Sequence, residues 1–177
     1  MRCWLLQALL ILGVAHLNVA LGGITEPDQL RGDRNPNVED YVWKEGESAL
    51  PPFPEEENLL PFTVPGGDDR FLYYIDAASL STEHADNIVR YILVIRSRRG
   101  GENVFFEGMR CSAYEYKIYA FGSKGKLRPV REPVWRVINS SRRSHFRKAL
   151  SEYICEIKPS GKNGRQEILD RIRYNGG

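Results

Sequence analysis

Residues 88–97, reading IVRYILVIRS, constrain the fold more than any other part of this 177-residue chain. In an extended conformation Val89, Tyr91, Leu93 and Ile95 share one side, while Ile92 and Val94 fill the other between Arg90 and Arg96. A strand that is apolar on both sides needs cover on both sides. It therefore belongs in the middle of a sheet.

Its neighbours follow at hairpin spacing. Residues 71–76 are aromatic and β-branched, and Arg98, Arg99, Gly100 and Gly101 make a turn into a strand over 103–111. A tight bend at Ser112 and Ala113 leads to 114–121, where Tyr114, Tyr116, Ile118 and Ala120 alternate with Glu115, Lys117 and Tyr119. After a turn at 122–125, residues 129–138 hold a shorter strand in which Pro133 favours an edge position. The period then changes from two to helical. Asn139, Ser140 and Ser141 form a predicted N-cap cluster, and Phe146, Ala149, Leu150, Tyr153 and Ile154 make one apolar stripe. A second helix is expected from about Asn163, showing Ile168, Leu169 and Ile172. The predicted class is α+β: a four- to five-stranded antiparallel meander with two C-terminal helices packed on one face.

The N-terminus sets the compartment. Arg2 precedes an apolar run from Trp4 to Leu21 that closes on the small residues Ala20 and Gly22, the order of a secretory signal peptide over residues 1–22, cleaved near Gly22. Interrupted by Gln7, His16 and Asn18, the run falls short of the roughly 20 clean apolar residues of a membrane span. The mature chain is thus expected to be periplasmic, with no transmembrane span. Two cysteines survive cleavage, and an exported chain with an even count is most simply read as joining Cys111 to Cys155. In the chain-entropy account such a loop contributes about 4 kcal/mol. Cys155 lies nine residues from Phe146, on the opposite side of an ideal helix from the stripe. The bridge therefore predicts that the helix loosens just before it.

Charge divides the mature chain. Residues 23–69 hold seven of the ten prolines and twelve acidic residues against three basic ones, whereas residues 70–177 hold 21 basic and 11 acidic residues. This predicts an acidic, proline-rich arm over 23–69 lying on a basic α+β domain over 70–177, in a contact weakened by salt. Leu50, Phe53, Leu59, Leu60 and Phe62 alternate with prolines and are candidate anchors for the arm.

The strings LPPFPEEENLLPF (50–62), YYIDAASL (73–80), IVRYILVIRS (88–97), NVFFEGMRC (103–111), YEYKIYAFG (114–122) and the stretch from Trp135 to Cys155 resemble the cryptic neisserial protein-like family, proteobacterial envelope proteins of unestablished function. The ordered combination of RY, EG-x-RC and YAFG carries the resemblance, which runs from about Tyr41 to Ile172. It implies export and transfers no catalytic residue. The turn before Ile88 departs from the family pattern: residues 83–87 replace a shorter, glycine-containing turn.

The sharpest polar constellation is Asp76, Arg90, Glu107, Arg110 and Glu115, on or beside the central strands. Acids and arginines so placed can bind a carboxylate or phosphate, or supply a general acid and base. The favoured reading is cross-strand ion pairing that fixes register. Two histidines remain after cleavage, His84 and His145, and neither has a metal-type partner at ligand spacing. No nucleophile elbow, phosphate loop or dinucleotide fingerprint occurs, so neither metal nor cofactor is expected. The basic runs, Lys124, Lys126 and Arg128 among them, would suit nucleic acid in another compartment, but export argues against that. The expected function is a non-enzymatic binding or structural module of the envelope, engaging another envelope protein or an anionic component. The alternative is a hydrolase of an envelope sugar or phosphate ester, with Asp76 and Glu107 as acid and base and Arg90 or Arg110 holding the substrate.

Overall fold

The computed structural model describes residues 42–83, 86–139, 141, 144–156 and 164–175. The expected export segment over 1–22, the arm as far as residue 41 and His84 lie outside them. Among the described residues there are seven strands: β1 (Leu59–Pro61), β2 (Phe71–Glu83), β3 (Ile88–Ser97), β4 (Glu102–Arg110), β5 (Glu115–Ser123), β6 (Lys126–Pro129) and β7 (Arg136–Val137). Two helices follow, α1 (His145–Cys155) and α2 (Gly164–Asn175). The class is α+β as read from the sequence. Strands β1 to β6 form a sequential antiparallel meander, and β7 pairs with β5. The count of four to five strands was too low, because β1 has three residues among prolines and β7 only two. Pro133 lies between β6 and β7, so the edge strand expected over 129–138 is split into two short pieces along β5.

The first eight residues of β3 are buried, as its two apolar sides require. On one side Tyr91, Leu93 and Met109 meet Phe146, Leu150 and Ile154 of α1 and Ile168, Leu169 and Ile172 of α2. On the other, Ile92, Val94, Val104 and Phe106 are covered by Phe53 and Leu59 from the proline-rich segment. Residues 42–69 fall in the same compact unit as the sheet.

Two irregularities redirect side chains. In β5 the register passes from Glu107↔Ile118 to Phe106↔Ala120, leaving Tyr119 as an extra residue. Ala120 therefore joins the core opposite to that of Tyr116, which corrects the simple alternation expected for this strand. In β2 the register jumps between Asp76 and Ser81. Gly108, from the EG-x-RC string, accommodates the bulged Tyr119, since a Cβ there would stand 2.7 Å from the tyrosine oxygen. Before Ile88, in the turn expected to be shorter and glycine-containing, Asn87 takes φ 56°, a left-handed conformation.

Helix α1 departs from expectation at both ends. Its N-cap is Ser144 rather than the 139–141 cluster, whose Ser141 carbonyl instead accepts the amides of Ser144 (2.9 Å) and His145 (2.8 Å). At the other end the helix does not loosen before Cys155 but includes it. Beside the apolar stripe runs a second buried ridge, Arg147, Ser151 and Cys155, spaced i, i+4, i+8. Each member meets the β4 to β5 region: Arg147 binds Glu107, the Ser151 and Tyr114 hydroxyls lie within hydrogen-bond distance at 3.2 Å, and Cys155 is bonded to Cys111 with a Cα separation of 5.3 Å.

Candidate functional site

Pleating sorts the five polar candidates onto two sides. Glu107 lies opposite Tyr91, on the helix side. Asp76 lies opposite Ile92, on the side covered by the proline-rich segment, and Arg90, Arg110 and Glu115 share that side. The structure therefore does not bring Asp76 and Glu107 together as an acid and base. Each candidate has a local partner instead. The Asp76 carboxylate accepts the Ser79 amide (3.0 Å), and the Ser79 hydroxyl donates back to the Asp76 carbonyl (3.0 Å), closing the β2 bulge. Arg165 of α2 caps that bulge through the carbonyls of Leu80 (2.8 Å) and Ala77 (2.7 Å). Arg90 pairs with Asp86 at 2.6 Å, and Arg110 pairs with its direct cross-strand neighbour Glu115.

Glu107 is 0% exposed and is held by Arg147, whose guanidinium lies 4.1 Å from the Tyr116 ring centroid and 4.6 Å from that of Phe146. Burial, together with the nearby Glu107 carboxylate, pushes the Tyr91 hydroxyl well above its ordinary pKa.

The other side carries a second network that sequence reading did not assemble. Glu45 accepts from the Lys117 ammonium, the Tyr119 hydroxyl (2.8 Å) and the Trp135 indole (3.2 Å). Burial raises the Glu45 pKa, but these donors and the Lys117 charge outweigh it and hold the carboxyl below its ordinary value. Trp43 donates to the Asp86 carbonyl at 2.7 Å, and the Gly46 amide donates to the Asp86 carboxylate at 2.9 Å. The Arg110 guanidinium lies 4.2 Å from the Trp43 ring centroid and 5.3 Å from that of Trp135, a cation–π cage filled by the protein's own side chain.

Two features remain open to a partner. Lys124, Lys126, Arg128, Arg131 and Arg136 are exposed and make no ion pair among the described residues. Register puts Arg128 beside Phe121, itself 45% exposed, at the free edge of the sheet. The second is a cleft of about 830 Å³ between the loop at 65–68 and α1, with an aromatic floor and Asp68, Asn103, His145 and Lys148 around it. None of the five candidates lines it. The turn-rich Pro65, Gly66, Gly67 and Asp68 were its main signal in the sequence. Among the described residues no group of three or more His, Cys, Asp or Glu side chains is arranged to hold a metal ion, and no helix is long and apolar enough to cross a membrane.

These features define a disulfide-bonded antiparallel α+β module with unpaired cations at one edge and a cleft beside the first helix. The sequence model of the CNP1-like family matches residues 38–173, and the chain belongs to that family, as the ordered strings led one to expect. No curated protein and no solved structure matches the chain.

Proposed function

We propose that the chain is an exported, non-enzymatic binding module of the cell envelope that docks on anionic phospholipid headgroups through Lys124, Lys126, Arg128, Arg131 and Arg136. In this reading residues 1–22 are removed near Gly22 on export to the periplasm, leaving an acidic arm over 23–69 that is partly extended over the 70–177 domain. One contrast supports the reading. Arg70, Arg90, Arg96, Arg110, Lys117, Arg147 and Lys148 all have a carboxylate partner, whereas the five edge cations have none. Each cation near an anionic membrane surface contributes about 1 kcal/mol, within a range set by salt. Phe121, with Val134 at 54% and Val137 at 62% exposure, adds apolar surface to the same edge.

The experiment is co-sedimentation of the mature chain with vesicles of phosphatidylglycerol and phosphatidylcholine, against phosphatidylcholine alone. Binding is expected only with the anionic lipid, and the double variant Lys126→Gln/Arg128→Gln should weaken it about thirtyfold. Binding that ignores lipid charge, or that occurs only with phosphorylated polysaccharide or an acidic protein, overturns the lipid assignment. The hydrolase alternative gains no support, since its acid and base sit on opposite sides of the sheet.

A further inference from the structure

The cleft between the 65–68 loop and α1 has the size range of small-molecule sites. Phe71, Tyr73 and Phe146 form its apolar floor, with Tyr73 and Phe146 stacked at 5.6 Å between centroids. Around that floor stand Asp68, Asn103, His145, Lys148 and Glu152. The charges among them are largely satisfied. Asp68 accepts from the Arg70 guanidinium at 2.9 and 3.0 Å, and Lys148 donates to Glu152 at 3.0 Å.

That arrangement selects a class of ligand. A site for a free anion or cation would present uncompensated charge of the opposite sign, and this rim presents mutually neutralised pairs. What remains is hydrogen-bonding capacity: the second carboxylate oxygen of Glu152, since Lys148 takes only the first, and an amide on Asn103 that both donates and accepts. An aromatic face, negative at its centre, attracts the weakly positive C–H groups of a saturated ring. A ligand with hydroxyls at its edge and C–H groups on its face meets both requirements.

We infer that the cleft binds an uncharged sugar of one or two pyranose rings, laid over Phe71 and hydrogen-bonded at its edge by Glu152 and Asn103. The site is independent of the basic edge, so either can fail alone.

The test is a titration of the ¹⁵N-labelled mature chain with N,N′-diacetylchitobiose and with maltose, followed by amide shifts. Inorganic phosphate and free lysine serve as charged controls. At least one disaccharide should move the amides of Gly66, Gly67, Asn103 and residues 145–152, with the charged controls silent there. Asn103 is exposed at a strand end, so Asn103→Ala should stay folded and weaken binding about tenfold. Glu152→Gln provides a second readout, from the helix that lines the cleft. Lys126→Gln/Arg128→Gln should leave sugar binding unchanged. The inference is overturned if neither disaccharide shifts the cleft amides of the folded protein, if phosphate or lysine does so more strongly, or if Asn103→Ala and Glu152→Gln both bind as the parent does.

Discussion

The two sides of the sheet solve the same problem, covering apolar strands, with different chemistry. On the helix side the cover is two amphipathic helices, a buried ion pair and a covalent bond. Glu107 and Arg147 have side-chain exposures of 0% and 6%, and Cys111 and Cys155 close the far end of the same ridge. On the other side the cover is an extended segment with few apolar anchors, gripped at Gly46 by the buried Arg90–Asp86 pair and elsewhere by groups that water reaches. The Lys117 and Glu45 side chains are 11% and 23% exposed, and the Arg96–Glu56 pair of the same segment is 30% and 75% exposed. Screening and protonation act on charges in contact with solvent far more than on buried ones. The helix side is therefore the permanent half of the fold, and the other side is the half that solution conditions adjust.

The largest effect should follow from breaking the buried pair. Replacing Glu107 by Gln leaves the Arg147 guanidinium in the interior without its counter-charge, at a cost of about 3–5 kcal/mol. Urea denaturation with an unchanged slope would measure it as a lower midpoint. The double variant Glu107→Leu/Arg147→Met should recover most of the loss, because both charges and their desolvation leave together. If Glu107→Gln costs no more than the corresponding change at Glu45, the distinction between the two sides collapses.

The disulfide comes next. Cys111→Ser/Cys155→Ser should lower stability by up to about 4 kcal/mol, the chain-entropy value for a loop of this length. The same denaturation experiment in the oxidised parent, with and without reductant, checks it. An effect confined to Trp43 and Trp135, with the helical signal unmoved, would place the bond's influence on the wrong side of the sheet.

How much of this was legible in the sequence depends on the range over which each signal acts. The position of β3 was plain because its apolar residues alternate onto both faces, and its first eight residues are buried. Helix α1 was equally plain from its apolar stripe, but the ridge of Arg147, Ser151 and Cys155 was not. Hydrophobic periodicity counts only apolar residues, and two members of that ridge are buried through polar partners. Without the ridge, Cys155 looked misplaced and the helix seemed to need a break. Glu107 stood out from its own strand, but Arg147 lies forty residues away on another element, and local spacing does not reach that far. The Glu45 network and the cleft share this property. Each joins segments remote in sequence, and only the fold makes them neighbours.

Glu45 itself tests the softer side. Of the chain's three tryptophans, Trp4 lies in the segment proposed to be removed, and Trp43 and Trp135 meet edge to face at 6.0 Å beside Glu45. Tryptophan emission of the mature chain therefore reports this network. Glu45→Ala deletes an acceptor shared by three donors and should cost about 1–2 kcal/mol. It should also shift the emission, with the helical signal in circular dichroism unchanged at room temperature. An unaltered emission spectrum would mean that Glu45 does not hold the two indoles in place.

The smallest and most selective effect should come from acid. Burial raises the pKa of Asp86, but hydrogen bonds from Arg90, Gly46 and Ile88 and the Arg90 charge reverse that effect and hold it below its ordinary 3.8; Glu45 likewise lies below its ordinary 4.5. A carboxyl depressed in the folded state contributes stability that is fully present above its unfolded pKa and is lost as pH falls through the folded value. Neutral to mildly acidic solution should thus leave the segment in place, and its anchoring should weaken only once pH drops below about 4. Because Asp86 and Glu45 both hold residues 43–46, the tryptophan signal should begin to change at a higher pH than the circular dichroism of the sheet and helices. Raising salt should move that first transition further toward neutral pH by screening Lys117 and Arg96. Coincident transitions by both probes at every salt concentration would show the two sides unfolding as one unit, and the division between a permanent and an adjustable cover would have to be given up.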